Sequence, residues 1–537
     1  MGIYLNSKTP YSLYKEAISG LYFVDKTNML VELITLVEQG NKYICVTRPR
    51  RFGKTIMANM ISSFFVKGRD SKELFKNLKI KNSKLFEKYK NSYNVIHISL
   101  NEIPKNCKTY EQYISRIENK LIKDLKLEFP DYNFEEEEAV WDILQEIYEQ
   151  ENNIQFVFVL DEWDYPFHRN FVTEKDKLEY LEFLNNLLKG KAYVAFAYMT
   201  GILPIAKYSS GSELNMFLEY TMVSEEVFSD SFGFTENEVD ELYCRYLKES
   251  KNQKITREGL RIWYDGYHTC SGNRIYNPRS VVAALLNNNL GSYWTSSGPY
   301  DEIYYYVEKN IAEVRDDLAL MVSGEPVLAK VREYAATSMN LSTREEILSA
   351  MVVYGFLSYE KAHVFIPNKE LMDNFNYMLQ KEPSLGYIHR LSKESERMLK
   401  ATLAGDTNTM IEILEYAHNT EIPLLSYNNE TDLTTVVNLV YLSARDFYRI
   451  EREDKAGIGY VDFIFYPEIN KNADCIILEL KIDHTPEEAI QQIKKRKYAL
   501  RFQGKLGEKE KYKGRILAVG IAYDRITKKH DCKIEVL

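Results

Sequence analysis

The chain has 537 residues, of which 45% are hydrophobic and 27% are charged. A chain of this length exceeds one ordinary hydrophobic core, so we expect about two to four domains. No apolar run reaches the roughly 18 residues that a membrane helix needs, so no membrane partner is expected. The first residues lack a basic segment followed by an apolar run, which argues against a secretory signal.

The six cysteines are widely spaced and form no CxxC pair, which argues against a disulfide framework or a zinc ribbon and predicts a cytoplasmic location. The net charge of −9 excludes a globally basic surface that coats nucleic acid. From Lys481 onward, however, 15 basic residues face 8 acidic ones. If nucleic acid is a partner, we therefore expect it at the C-terminal part.

The N-terminal part alternates short apolar runs with helical patterns. The apolar runs cover residues 42–47, 95–100, 156–160 and 193–199. Near-continuous apolar strands separated by helices are typical of a parallel sheet that is covered on both faces. We therefore predict an α/β fold with such a parallel sheet for residues 1–233.

The first apolar run ends in Thr47-Arg48-Pro49-Arg50-Arg51-Phe52-Gly53-Lys54-Thr55, which is followed by a helical pattern. In a phosphate-binding loop, Gly53 lets the backbone approach phosphate, Lys54 reaches the β- and γ-phosphates of ATP, and Thr55 binds Mg²⁺. Arg48 stands where the usual pattern has its first glycine, so an ordinary basic turn is the alternative. Arginine side chains match phosphate oxygens, and we expect Arg48, Arg50 or Arg51 to contact a phosphate. A structural pair with Glu162 or Asp164 is the alternative.

Acidic residues end the third apolar run. Asp161 is placed to hold the Mg²⁺ with its water shell, and Glu162 is placed to polarise the attacking water. A helix N-cap pair is the alternative for this dipeptide. Thr200, at the end of the next run, is placed to sense the γ-phosphate, although a turn residue would look the same.

These motifs together resemble bacterial AAA-ATPase-like proteins that carry a C-terminal PD-(D/E)XK nuclease-like domain. The Arg-rich loop without its first glycine is similar to the P-loop of that family. Further similar segments extend over nearly the whole chain: Tyr22 to Thr27, Leu160 to Asp164, Thr200-Gly201, Trp263 to Tyr267, Tyr276 to Pro278, and Tyr293-Trp294. The resemblance implies that residues 1–233 form a P-loop NTPase of the AAA-like type, which is an ATPase with an ATP and Mg²⁺ (or Mn²⁺) site.

Helical patterns dominate residues 234–415. Thr235 and Glu238 have the spacing of a capping box. A helical pattern over 344–354 followed by two short apolar runs resembles a winged-helix unit in its pattern. We therefore predict a helical lid with a winged-helix-like part in this middle region.

Residues 420–537 show an α-β-β-α-β order that predicts a separate α/β domain, and the family resemblance implies that this domain is of the restriction-endonuclease type. Asp462 lies in one predicted strand, and Glu479 and Lys481 share one face of the next. Two carboxylates that bind a divalent cation, with a lysine for the nucleophilic water, are the D…ExK arrangement of PD-(D/E)XK nucleases. An exposed strand with a salt bridge is the alternative.

The following helix carries Gln492 and Tyr498, which are similar to the Gln…Tyr helix of RecB-like nucleases. Its lysines, among them Lys494 and Lys495, are placed to contact backbone phosphate, although a solvated helix face is the alternative.

The sequence thus predicts an ATPase joined to a metal-dependent nuclease, with DNA favoured over RNA and a role in defence or mobile-element processing. The rival hypothesis is a nucleotide-dependent switch that binds nucleic acid or a protein without cleaving. The oligomeric state stays open, with a homo-oligomer among the options.

Overall fold

The computed structural model describes most of the chain. The ranges outside the description are Met1, 135–137, 151–152, 170, 206–213, 295–311, 332–340, 342, 382, 420–429, 457–458, 469, 471 and 504–511. Among the residues that the structure describes, no helix has the length and hydrophobicity needed to cross a bilayer.

The chain forms two compact units. The first comprises Met1–Tyr306 with Leu328–Leu371, and the second comprises Val307–Val327 with Met372–Leu537. This is a coarser division than the three domains expected from the sequence, whose boundaries stay a prediction.

The helices and strands alternate along the chain. The α-helices, α1 to α18, are Thr9–Ile18, Asn28–Glu38, Lys54–Phe65, Lys72–Phe75, Leu85–Tyr89, Tyr110–Glu128, Val140–Gln150, Glu174–Leu188, Glu236–Glu249, Arg257–Tyr264, Pro278–Asn287, Ala312–Val322, Arg344–Tyr354, Lys369–Lys381, Tyr387–Ala404, Thr407–Asn419, Glu430–Val440 and Pro486–Lys495. The strands, β1 to β15, are Tyr43–Thr47, Asn94–Ser99, Phe156–Asp161, Val194–Gly201, Leu218–Tyr220, Tyr267–His268, Arg274–Ile275, Val327–Leu328, Ser358–Glu360, His363–Phe365, Tyr448–Ala456, Gly459–Pro467, Cys475–Ile482, Ile516–Asp524 and Lys529–Val536.

The first unit is built on a five-stranded sheet in the order β2-β3-β4-β1-β5, with every neighbouring pair parallel. The strands are buried on both faces because a separate apolar core lies on each side of the sheet. This architecture confirms the covered parallel sheet that the apolar runs predicted. Strand β5 has three residues, which is too short for an apolar run, and the sequence did not predict it.

The remainder of the first unit is mainly helical, as predicted. Thr235 is the N-cap of helix α9 and forms the expected capping box. Its side chain accepts a hydrogen bond from the Glu238 backbone N–H, and the Glu238 side chain accepts one from the Thr235 backbone N–H. Helix α13 spans the predicted 344–354 and is followed by the antiparallel hairpin β9–β10. A helix followed by a hairpin agrees with the winged-helix-like pattern of the sequence.

The second unit contains a mixed five-stranded sheet in the order β11-β12-β13-β14-β15, in which only the β13–β14 pair is parallel among the described strands. Helix α18 packs against β13 and β14. The α-β-β-α-β prediction was incomplete, because the edge strands β11 and β15 were missed. Both edge strands are rich in charged residues, so they lack the apolar run by which a central strand is recognised.

Gly520 gives a test of how closely α18 packs on the sheet. A Cβ atom at this position would lie 2.4 Å from the Pro486 carbonyl oxygen and 3.1 Å from Ala489 Cβ. We therefore expect Gly520→Val to push α18 off β14 and to lower the free energy of unfolding by about 1–3 kcal/mol, as overpacking does. Thermal melting checks this, with Ile526→Ala as control because Ile526 is 91% exposed. An unchanged melting temperature for Gly520→Val would contradict the close packing.

Candidate nucleotide and nuclease sites

The carboxyl ends of β1, β3 and β4 meet at one edge of the first sheet. In the parallel registers, Thr47 pairs with Gly201 and Asp161 pairs with Thr200. Strand β4 lies between the other two, so the loop after β1 and the acidic end of β3 face each other across one strand. This edge is where α/β proteins bind ligands, because the loops that leave the strands diverge there.

The loop after β1 leads directly into helix α3. Gly53 is the N-cap of the helix and has a left-handed φ of +93°, a conformation that glycine adopts without strain. No described atom lies within 4 Å of where its Cβ would stand, so the backbone here is open to an approaching group. The first N–H groups of α3 make such a position suitable for an anion.

Lys54 is the first residue of α3, and its side chain contacts the loop that precedes the helix. Its side chain is buried, and its Nζ donates hydrogen bonds to the carbonyl oxygens of Arg48 (2.8 Å) and Pro49 (2.9 Å). Burial lowers the pKa of Lys54 to about 8, and the negative charges of nearby carboxylates oppose that shift. Those carboxylates belong to Asp164, Glu162 and Asp161. The ammonium group is therefore held next to the acidic end of β3.

Asp161 is buried at the end of β3. Burial raises the pKa of its carboxyl to about 6, although a hydrogen bond from Thr55 acts in the opposite direction. Its Oδ1 has no hydrogen-bond partner in the part of the chain that the structure describes. A buried carboxylate oxygen without a partner is costly, and Mg²⁺ or a water of its shell would remove that cost. Asp161 and Thr55 thus fit the metal position that the sequence assigned to them.

Glu162 adopts a left-handed backbone with φ +55°. Residues other than glycine, asparagine and aspartate adopt this conformation infrequently, and such strain is concentrated at functional sites. The half-buried side chain is close enough for its charge to raise the pKa of Lys54. The position agrees with a residue that faces the phosphate-binding loop.

Arg48 has a different position from the one expected. Its side chain is only 1% exposed, and its guanidinium donates to the carbonyl oxygens of Thr47, Tyr220 and Phe228. It also lies over the ring of Phe232, 4.9 Å from the ring centre. The expectation that Arg48 contacts a phosphate is therefore replaced by a structural role, in which Arg48 fixes the end of β1 to the segment around β5.

Two other predicted nucleotide ligands also have protein partners. Arg51 donates from Nη1 to the Tyr293 carbonyl oxygen at 2.6 Å. Thr200 is fully buried, and its Oγ1 donates to the Val46 carbonyl oxygen at 2.9 Å. Thr200 therefore joins β4 to β1 in this state, and its assignment as a γ-phosphate sensor stays a prediction.

In the second unit, Asp462 and Glu479 lie on adjacent antiparallel strands. Phe463 pairs with Leu478, so one further step of the register brings Asp462 opposite Glu479. Asp462 Oδ2 accepts a hydrogen bond from the Leu480 N–H at 2.6 Å, and Lys481 Nζ donates to Glu479 Oε1 at 3.1 Å. The structure thus brings together the two acids and the lysine that the sequence selected.

Glu479 is only 2% exposed. Its Oε1 also accepts a hydrogen bond from the Gln492 amide, whereas its Oε2 is buried and lacks a partner among the described residues. Burial raises the pKa of Glu479 to about 7, the charge of Asp462 adds to the rise, and Lys481 opposes it. The site therefore has an oxygen available for a cation beside a second carboxylate.

These residues fit Mg²⁺ or Mn²⁺ better than a softer metal. Within the described ranges, no three or more His, Cys, Asp or Glu side chains gather into a complete metal cage. Mg²⁺ is usually bound by one or two carboxylates that leave water and substrate phosphate to complete its octahedron. Asp462 and Glu479 supply that number of carboxylates.

The predicted nucleic-acid contacts on α18 differ from one another in position. Gln492 contacts Glu479, a role that the sequence did not reveal because it depends on how α18 packs. Lys494 pairs with Glu535, whereas Lys495 is exposed. Tyr498 is fully buried in the apolar core of the unit, so it packs there and is not on the surface that its predicted contact with nucleic acid requires. The turn expected at 457–458 lies outside the described residues.

The raised pKa of Glu479 predicts a pH-dependent stability. Its folded pKa of about 7 lies above the usual 4.5, so its contribution is fully present below pH 4.5 and is lost as the pH rises through 7. We expect the loss to reach about 1.4 kcal/mol per pH unit at most. Glu479→Gln should remove this dependence. Without metal, the melting temperature of the variant minus that of the wild type should therefore increase between about pH 5 and about pH 8. Parallel pH curves for the two proteins would contradict the assignment.

Two family matches cover the two sites. The family described as a predicted AAA-ATPase matches residues 13–210, and the PD-(D/E)XK nuclease superfamily matches residues 429–527. No curated protein shows significant sequence similarity to the chain.

Solved structures give weaker matches. The Walker-type ATPase PABY2304 of Pyrococcus abyssi is 12% identical, with a TM-score of 0.38, over 65% of this chain and 94% of that one. The ORC2 protein of Aeropyrum pernix is 10% identical, with a TM-score of 0.32, over 66% of this chain and 93% of that one. At such scores the fold assignment depends on the strand order and the family matches. The chain therefore combines a predicted AAA-ATPase-like domain with a C-terminal domain of the PD-(D/E)XK nuclease superfamily.

Proposed function

We propose that the protein binds and hydrolyses ATP and cuts phosphodiester bonds in DNA with Mg²⁺ or Mn²⁺. The observation that carries this proposal is the presence, in one chain, of two sites that each place a lysine beside a buried carboxylate. In each site one carboxylate oxygen has no hydrogen-bond partner among the residues that the structure describes. Such pairs are suited to a divalent cation and a phosphate, which ATP hydrolysis and phosphodiester cleavage both require.

In the ATPase, Gly53 and the first turn of α3 would receive the phosphates. Lys54 would exchange the carbonyl oxygens of Arg48 and Pro49 for phosphate oxygens. Asp161 and Thr55 would hold Mg²⁺, which neutralises phosphate charge when bound. Glu162 would accept a proton from the attacking water.

In the nuclease, Asp462 and Glu479 would hold the cation, which lowers the pKa of water when bound. Gln492 keeps Glu479 Oε1 in place, so that Oε2 is presented to the ligand. Lys481, which is 19% exposed at its side chain, would direct its charge to the scissile phosphate. The excess of 15 basic over 8 acidic residues after position 480, with Lys495 exposed on α18, supports a polyanionic substrate.

The biological setting belongs to the same proposal. No disulfide bond joins the six cysteines, all of which lie in the described part of the chain, and this supports a reducing compartment such as the cytoplasm. A nuclease under nucleotide control suits defence against foreign DNA or the processing of mobile elements. The domain boundaries proposed for it are 1–233, 234–415 and 420–537.

A second candidate function, a nucleotide-dependent switch, is favoured by contacts to the phosphate-binding loop. Besides the Arg51–Tyr293 hydrogen bond, the Trp294 indole N–H donates to the Arg50 carbonyl oxygen at 3.3 Å. The backbone N–H groups of Tyr293 and Trp294 in turn donate to Glu370. A phosphate that attracts Arg51 would compete with these contacts and so would move the segment that follows α11. Magnesium-dependent cutting of DNA, measured with and without ATP, separates an ATP-controlled nuclease from a switch that does not cleave.

The ATPase half predicts different defects for two variants. Lys54→Ala should weaken ATP binding because it removes a charge-assisted contact. Glu162→Gln should bind ATP normally and hydrolyse it roughly 10²-fold more slowly, in the range of a lost general base. Isothermal titration and phosphate release measure the two quantities, and Lys84→Ala, which removes an exposed lysine, serves as control. Normal turnover by Glu162→Gln would reject its role in activating water.

The nuclease half predicts that Glu479→Ala abolishes Mg²⁺-dependent cleavage of plasmid DNA and leaves ATP hydrolysis within about two-fold, since the two sites belong to separate compact units. Glu487→Ala removes an exposed carboxylate from the same unit and should cleave normally. Cleavage that survives the Asp462→Ala and Glu479→Ala double variant would point to another nuclease and would favour the switch.

A further inference from the structure

Asp164 is a buried carboxylate just beyond the acidic end of β3. It is only 3% exposed, and its Oδ2 accepts hydrogen bonds from the backbone N–H groups of Ile202 (3.0 Å) and Leu203 (2.9 Å). The same oxygen lies 3.8 Å from His168 Nε2. Burial works to raise the pKa of Asp164, but the nearby His168 imidazole and the Leu203 N–H outweigh it and hold the pKa below its usual range.

Glycine at position 201 makes this contact possible. A Cβ atom there would lie 2.5 Å from both Asp164 Oδ1 and Trp163 Cδ1. Trp163 is fully buried, and its indole N–H donates to the Leu203 carbonyl oxygen at 3.1 Å. The buried side chains of the turn after β3 therefore contact the backbone of the chain that leaves β4 directly.

Glu162 lies within the segment that these contacts hold. Before it, Asp161 pairs with Thr200, and after it, the Trp163 N–H donates to the Thr200 carbonyl oxygen at 3.0 Å. The left-handed backbone of Glu162 is thus fixed on both sides to β4. A strained conformation persists only when its surroundings hold it, and Asp164 is a charged group of those surroundings that bonds directly to the backbone leaving β4.

We propose that Asp164 is a positioning residue of the ATPase: its carboxylate ties the turn that carries Glu162 to the backbone leaving β4, and so aims Glu162 at the phosphate-binding loop. This inference rests on the proposed ATP hydrolysis. It assigns Asp164 no contact with ATP, so the loss of Asp164 should affect turnover and not nucleotide binding.

Asp124 provides a matched control. It is also 3% exposed in the first unit, and its Oδ2 also accepts two consecutive backbone N–H groups, those of Tyr4 (2.6 Å) and Leu5 (3.1 Å). It is buried on α6 and belongs to neither proposed site. Asp124→Ala and Asp164→Ala should therefore lower the melting temperature to a similar extent, and only a positioning role separates their kinetics.

The experiment measures ATP hydrolysis, ATP affinity and thermal melting of the full-length variants. We expect Asp164→Ala to lower kcat by roughly 10²-fold with KM changed by less than about three-fold, because a misplaced catalytic group affects the chemical step. Asp164→Asn keeps one oxygen for the two N–H groups and should restore kcat to within about ten-fold of the wild type. Gly201→Ala, which displaces Asp164 and Trp163, should reproduce the kcat defect.

Each other result decides against the inference. Equal kcat for Asp164→Ala and Asp124→Ala would make Asp164 a merely structural residue. A rise in KM with unchanged kcat would place it in nucleotide binding. If Asp164→Ala does not fold, Asp164→Asn and Gly201→Ala carry the comparison, and wild-type kcat in Gly201→Ala overturns the inference. A wild-type chain without turnover would instead contradict the proposed ATPase itself, and would do so before any variant is made.

Discussion

Burial of carboxylates is the constraint on which both sites depend. Asp161 and Glu479 each lie at a position where water cannot satisfy both oxygens, and burial raises both pKa values, to about 6 and about 7. A buried carboxylate without a partner is unfavourable for folding, and such groups are retained where a cation or a proton completes them. The two compact units thus keep the same kind of unsatisfied acid, one at the edge of a parallel sheet and one on adjacent antiparallel strands.

The cations of the phosphate-binding loop have hydrogen-bond acceptors within the chain itself. Lys54 and Arg51 donate to backbone carbonyl oxygens of the chain, so each cation has an acceptor before any phosphate arrives. Under the proposed ATP binding, a phosphate would therefore replace existing hydrogen bonds. The affinity for nucleotide would then be the difference between two sets of contacts, and residues that contact the loop would influence it without touching the nucleotide.

Sequence patterns predicted much of the fold because central strands are continuous apolar runs, and Lys54, Asp161, Asp462 and Glu479 follow from the spacing around such runs. The direction of individual side chains could not be predicted in the same way. Arg48 turns towards Tyr220 and Phe228, which are about 170 to 180 residues away in the chain. Tyr498 is buried because a short helical turn follows α18, whereas the pattern suggested one longer helix. Tertiary contacts decided both cases.

Gly520 lies beside Glu479 in the parallel register of β13 and β14. Because Gly520 has no side chain, the first turn of α18 packs directly on the main chain of β14. Gln492, which lies further along α18, contacts Glu479 from this helix. The spacing between the amide and the carboxylate is thus set by main-chain packing. A protein engineer could not transplant this arrangement onto another scaffold by copying the side chains of Asp462, Glu479, Lys481 and Gln492 alone. The helix, the strand and the glycine between them would have to be moved as one piece.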